Sequence, residues 1–251
     1  MMKLLTAEQI GSNVEVFREG VKPSERDASF DYCFNYFQRF REEGRLNDLK
    51  TPEQVQESCI QLGFYLASWG MYRGRAYLLQ KSAKILEPII GLIADQPPSF
   101  WEIDVHSYSP ENIQRLLDFK REIVSLREHK GASDTLVTKI MLGVFGNVPA
   151  FDTYFSKGFG YGKFEKVSLE RVADFYRDNT QIIDESRSVT RTIDFNTGQE
   201  TPRLYTRAKI VDMVFFIEGE KVGGCSAAGE EQRSATPRGR AEGTPHPSRD
   251  G

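Results

Sequence analysis

Residues 28–43 place Phe30, Cys33, Phe34, Phe37 and Phe40 at steps of three and four, and that period commits the segment to an amphipathic helix. A strand would scatter these rings over both faces, so the stripe must be buried against other helices. The same signature returns along the chain. Thr51 as cap and Pro52 in the first turn open a helix that carries Val55, Cys59, Leu62 and Leu66 toward Trp69. Gly70 and Gly74 interrupt it. A further apolar helix is expected from near Ala76 to about Ala94, bent at Pro88, before Pro97 and Pro98 break it. Ser109, Pro110 and Glu111 open the next, which reaches about Arg127, and Ser133 caps another holding Leu136, Val137, Ile140, Met141 and Val144. Helices are also expected at 168–186 and 204–219. Between them, 188–198 alternates like a strand and ends in a turn signal, leaving a small hairpin and an irregular loop both open. The expected fold class is all-α, a multi-helix globular domain over residues 1–222.

Of 251 residues, 39% are hydrophobic and 27% charged, enough apolar surface for a substantial core. Residues 223–251 contain no aromatic residue and no Val, Leu, Ile or Met, so a disordered, low-complexity tail is expected there. Lys and Arg number 33 against 36 Asp and Glu, a net charge of −3. That excludes a generally basic nucleic-acid coat but leaves room for a local basic patch. No apolar run of signal-peptide length opens the chain, and the most apolar stretches, 85–94 and 210–217, are too short to span a bilayer. No membrane partner is therefore expected, and the location is expected to be cytoplasmic. Cys33, Cys59 and Cys225 lie far apart with no CxxC, and there are three histidines in all. Neither a disulfide framework nor a Cys/His zinc site fits, so no metal is expected.

Most chemical templates are missing: there is no Walker loop, GxGxxG, HExxH or GxSxG. The run GFGYG at 158–162 has the glycines of a phosphate loop without a preceding strand or a Lys-Ser/Thr ending, and reads as a flexible connector. The stretch from Gly131 to Phe155, GASDTLVTKIMLGVFGNVPAFDTYF, is different. It resembles the core of the helix-hairpin-helix DNA glycosylase superfamily, in which a Gly-x-Gly hairpin leads into an apolar helix ending in Phe-Gly. A short turn and an Asp-Thr opening the next helix follow. Phe145 and Gly146, then Val148 and Pro149, then Asp152 and Thr153 occupy those places.

The resemblance implies that Gly131, Ala132 and Ser133 form a turn facing a DNA phosphate, with Lys130 and Lys139 adding charge. It implies that Asp152 stands at the mouth of a cleft that receives a flipped nucleotide, stabilising the oxocarbenium-like sugar or activating the attacking water. This chain departs from the pattern at Ser133, the second hairpin glycine, at His129, usually apolar, and at Tyr154, usually His. The position of the Schiff-base lysine of bifunctional members is Thr135. What the resemblance implies is thus a monofunctional base-excision N-glycosylase, a hydrolase of DNA repair acting on double-stranded DNA without a cofactor.

Each of these residues also has a plainer reading. Asp152, after a proline-containing turn and before an apolar segment, fits an ordinary helix cap. Arg73, Arg75, Lys81 and Lys84, with Tyr72 and Tyr77 interleaved, suit phosphate contact and base stacking, and equally suit a solvated helix face. Tyr154 joins Arg73 and Arg75 as a DNA contact or base-pocket residue. Trp69, Met71 and Tyr72 fit either a base pocket or core. His106 and His129 lack partners at ligand spacing, and Asp104 with His106 is too little for a triad. A second function class is a non-enzymatic helical protein acting through protein-protein contacts, with the aromatic helix at 28–43 as its surface. An enzyme of the first kind needs a positive face around an open cleft at Asp152; an interaction protein needs an exposed apolar patch.

Overall fold

A computed structural model describes the backbone of residues 4–234 and the side chains through residue 222. In chain order the helices are α1 (Ala7–Gly20), α2 (Ala28–Glu42), α3 (Val55–Ser68), α4 (Glu87–Ala94), α5 (Pro98–Trp101), α6 (Pro110–Ser125), α7 (Asp134–Phe145), α8 (Thr153–Phe159), α9 (Lys166–Asp178) and α10 (Thr180–Val189). A two-stranded antiparallel hairpin, β1 (Arg191–Ile193) and β2 (Glu200–Leu204), precedes α11 (Arg207–Ser234). No helix among the described residues is long and apolar enough to cross a membrane.

Side-chain caps open α1, α6, α7 and α8. Ser109 accepts from the Asn112 N–H and Ser133 from the Leu136 N–H, so α6 and α7 begin where their caps predict. α1 opens with a full Thr6–Gln9 capping box. Thr51 does not cap α3; its hydroxyl donates back to the Asp48 carbonyl, and α3 proper starts at Val55. The single helix expected over 76–94 is two 3₁₀ turns, Tyr77–Gln80 and Ala83–Leu86, followed by α4. Pro88 lies in the first turn of α4, where a missing N–H leaves no bond unmade, so it begins a helix instead of bending one. The helix expected at 168–186 is divided at Asn179 into α9 and α10. The 188–205 segment is a hairpin: Asp194 Oδ1 accepts from the Asn196 and Thr197 N–H groups in its turn.

Helices α7 and α11 form the centre. Every residue from Leu136 to Phe145 is buried, as is every one from Ala208 to Gly219. α2 packs on α7 and α3, and its rings face inward: Phe30, Phe34, Phe37 and Phe40 are all buried, with Phe30 stacked on Phe34 at 5.3 Å. That corrects the idea of α2 as a docking surface, since burying each ring stabilises the fold by roughly 2–3 kcal/mol.

Helix α8 lies so close on α11 that only glycine fits at two places. A Cβ on Gly158 would strike the Phe215 carbonyl, and one on Gly219 the Tyr154 carbonyl. Gly158 is thus a packing residue inside α8 and Gly160, at φ +85°, its C-cap, so the GFGYG run is a helix end and not a connector. The tail expected from residue 223 begins inside the backbone of α11, and residues 235–251 lie outside the described residues.

Candidate functional site

The turn between α6 and α7 is built around Gly131, whose φ of +84° is left-handed and leaves open space where a side chain would stand. His129, two residues earlier, is fully buried. Its Nδ1 lies 2.6 Å from the Tyr77 hydroxyl and its Nε2 2.8 Å from the Ile85 carbonyl. Burial pulls the imidazole pKa below its ordinary value, so the neutral ring donates from Nε2 to Ile85 and accepts the Tyr77 proton at Nδ1. Tyr77 belongs to the basic run, which this latch seats against the Gly131 turn. Arg73, Arg75 and Lys130 are exposed there. With Lys81, they make no ion pair among the described residues, whereas Lys84 is held by Glu87 at 2.5 Å.

One turn into α7 a small pocket opens, about 120 Å³, lined by Arg26, Trp69, Arg73, Lys139, Asp152 and Tyr154 among others. Asp152 is the N-cap of α8. Its Oδ1 accepts from both the Tyr154 and the Phe155 N–H at 3.0 Å, and its Oδ2 lies 3.2 Å from Lys139 Nζ. The helix-cap reading therefore holds and uses one oxygen, while the other faces a cation. Lys139 also donates to the Trp69 carbonyl at 2.9 Å, and its Nζ lies 5.4 Å from the Trp69 ring centre. It is only 4% exposed, which corrects its expected place on the phosphate-binding turn: it faces inward, onto Asp152. Burial pushes its pKa down, against the opposing pull of Asp152. Thr135 lines the same pocket, with its hydroxyl donated to the Phe151 carbonyl.

Behind Trp69 lies a second buried pair. Lys209 Nζ is 2.9 Å from Asp212 Oδ2 and sits within 4.4 Å of the Phe17 ring centre, 4.7 Å of Phe30 and 5.6 Å of Trp69. Asp212 Oδ1 accepts the Ala150 N–H at 2.9 Å, tying α11 to the loop that leads to Asp152. Burial raises the Asp212 pKa, with Lys209 pulling it back. Asp31 completes the cluster: it accepts the Ile193 N–H, and burial lifts its carboxyl to about 7 against the Tyr205 hydroxyl, that N–H and Lys209.

Of the residues singled out from the sequence, Arg73, Lys139, Asp152 and Tyr154 meet in one pocket. Lys130, Gly131, Ala132 and Ser133 form the turn beside it, and Ser133 is committed to capping α7. Arg75 points to solvent on the adjoining loop. Trp69 and Met71 line the pocket, while Tyr72 does not. Asp104 accepts from the Arg207 and Ala208 N–H groups at 2.9 and 2.8 Å, while Thr206 accepts the Lys209 N–H, so Asp104 helps to hold the start of α11.

Sequence reasoning missed Arg26, which stacks over Trp69 at 4.8 Å from a loop without any signature. It also missed the Lys209–Asp212 pair. A lysine and an aspartate three apart inside the apolar 208–217 run would have signalled it. Among the described residues no group of three or more His, Cys, Asp or Glu side chains forms a metal site. Compared with family models, with curated proteins and with solved structures, this chain finds no match.

Proposed function

We propose that the chain binds double-stranded DNA across the Gly131 turn and acts as a monofunctional base-excision N-glycosylase, with Asp152 as its catalytic carboxylate. The observation that carries this reading is the Tyr77–His129 hydrogen bond. It sets the unpaired cations of the basic run beside a turn whose backbone is open, one helical turn from the Asp152 pocket. Gly131 and Lys130 contact phosphate and Arg73 and Arg75 add charge along the strand. Asp152 keeps α8 capped with one oxygen and offers the other to the positive charge that develops on the sugar as the base leaves. Tyr154, partly exposed with its ring 5.1 Å from Phe216, and Trp69 supply apolar walls for a flipped base. The test is titration of the chain with duplex DNA carrying an abasic-site analogue, and with intact duplex, across a salt series. Tighter binding to the abasic duplex with a clear salt slope is the expected result; no binding to either duplex at low salt overturns the reading.

A different observation favours a protein-contact reading. Phe64 on α3 and Phe195 at the hairpin tip are 67% and 73% exposed, and Phe195 packs edge-on to Tyr32. If these exposed rings carry the function, Phe64→Ser and Phe195→Ser abolish it while Asp152→Asn leaves it intact.

A further inference from the structure

Four arginines from four elements, Arg41 of α2, Arg187 of α10, Arg203 of β2 and Arg207 of α11, line one cavity of about 420 Å³. It shares no lining residue with the Asp152 pocket. The fold satisfies two of the four. Arg203 bonds both oxygens of Glu42 and Asn35 Oδ1, and Arg207 bonds both oxygens of Asp184. Arg41 donates to Gln38 Oε1 at 3.2 Å, but its Nη2 stands 3.8 Å from the exposed Glu102, beyond hydrogen-bond reach. The Arg187 side chain has neither an ion pair nor a hydrogen bond among the described residues, and its Nε is buried without an acceptor. Trp101, which lines the same cavity and is only 2% exposed, likewise has no acceptor for its indole N–H. Asp104 does not serve them: its Oδ1 accepts the Val105 and Ala208 N–H groups and its Oδ2 that of Arg207.

Buried donors in folded proteins nearly always have a partner, so two without one at the border of a single cavity call for an acceptor that enters it. Beside them stand two guanidinium groups, Arg187 and Arg41, whose charge no carboxylate holds at hydrogen-bond distance. A guanidinium fork matches the oxygens of a phosphate or a carboxylate in plane and spacing. A single carboxylate would answer one of the two charges; a phosphate monoester, a dianion, answers both. The cavity is also larger than a bare ion needs, lies in the size range of small-molecule pockets, and has Phe34, Phe145, Pro202 and Leu204 among its walls. We propose that this cavity binds a small organic phosphate monoester. Arg187 and Arg41 hold the phosphate, the Trp101 N–H supplies a further donor, and the apolar body of the ligand lies against Phe34, Phe145 and Leu204. The inference is independent of the DNA reading, because it uses none of the residues of the Gly131 turn or the Asp152 pocket.

The experiment is titration of the isotope-labelled full chain with phenyl phosphate, inorganic phosphate and benzoate, following the indole N–H signals of its two tryptophans by nuclear magnetic resonance. Phenyl phosphate is expected to shift the Trp101 signal as that N–H gains an acceptor, and to leave the Trp69 signal in place. It is expected to bind at least about 10-fold more tightly than inorganic phosphate, which lacks the apolar body, or benzoate, which lacks the second charge. Arg187→Gln removes a guanidinium that the fold does not use, and is expected to weaken phenyl phosphate binding at least about 10-fold. Lys163→Gln removes the same charge from the exposed loop after α8 and is expected to change it by less than about twofold. A Trp101 signal that stays in place at saturating phenyl phosphate, inorganic phosphate binding as tightly as the ester, or unchanged affinity in Arg187→Gln each overturns the inference. The indole signals are read on the unaltered chain, so the answer does not depend on any variant folding.

Discussion

Two buried lysine–aspartate pairs flank Trp69, and they differ in access rather than in chemistry. Lys209 and Asp212 lie within one turn of α11, enclosed by Phe17, Phe30 and Trp69, with both carboxylate oxygens satisfied by protein. Lys139 and Asp152 come from two different elements and border a pocket, with one carboxylate oxygen capping α8 and the other facing Lys139. The first pair holds α11 against the 146–151 loop. The second joins α7 to the start of α8 and lines a small pocket. An ion pair buried beside an aromatic ring is thus no mark of a site by itself; what separates the two is which elements it joins and what lies in front of it.

Breaking the sealed pair has the largest expected effect. Asp212→Ala leaves Lys209 unpaired among rings and strips the Ala150 N–H of its acceptor, so denaturant unfolding is expected to show a loss of about 3–5 kcal/mol. Asp31, in the same sealed region, makes stability depend on pH. Its folded pKa of about 7 lies above the ordinary 3.8, so the folded state holds a proton that the unfolded chain releases. Stability then falls as pH rises from about 4 to about 7, by up to roughly 4 kcal/mol, and Asp31→Asn flattens that slope.

At the pocket the same kind of cut is expected to be milder, because Lys139 keeps the Trp69 carbonyl as an acceptor when Asp152 changes. Lys139→Met is expected to lower stability by about 1–3 kcal/mol in the same unfolding assay. Asp152→Asn retains an oxygen for the cap, so its stability stays within about 1 kcal/mol of the parent, while base release falls by at least about 100-fold. An equal loss of stability in Asp152→Asn and Asp212→Ala would erase the distinction between the two pairs. The smallest structural effect belongs to Arg75→Ala, which leaves the unfolding midpoint unchanged to within about 0.5 kcal/mol and lowers the salt slope of duplex binding by about 1.

Local signals in the sequence were legible wherever the competing energies were local. Ser109 and Ser133 mark α6 and α7 because a cap acts over three residues, and the phenylalanine stripe of α2 marks a helix because its period is its own. The 77–86 stretch escaped, since its apolar pattern fits a helix while Pro88 prefers to begin one and the Tyr77 hydroxyl is drawn to His129. In the candidate site, Asp152 was readable as a cap, and one of its oxygens caps α8 while the other faces Lys139. The inward turn of Lys139 was not readable, because its partners, Asp152 and the Trp69 carbonyl, come from two other segments of the chain. Arg26 was invisible for the same reason: its meeting with Trp69 is made by topology and not by any motif.

The glycine contact between α8 and α11 reaches further than its position suggests. Gly219 presses on the carbonyl of Tyr154, the second residue beyond Asp152, and α8 is only seven residues long. A helix that short transmits a push at one end to its cap without bending. Gly219 therefore acts as a set-screw for the pocket: even a methyl group added there would tilt α8 and draw the Asp152 carboxylate away from Lys139. The residue that sets the alignment of the two charges touches neither of them.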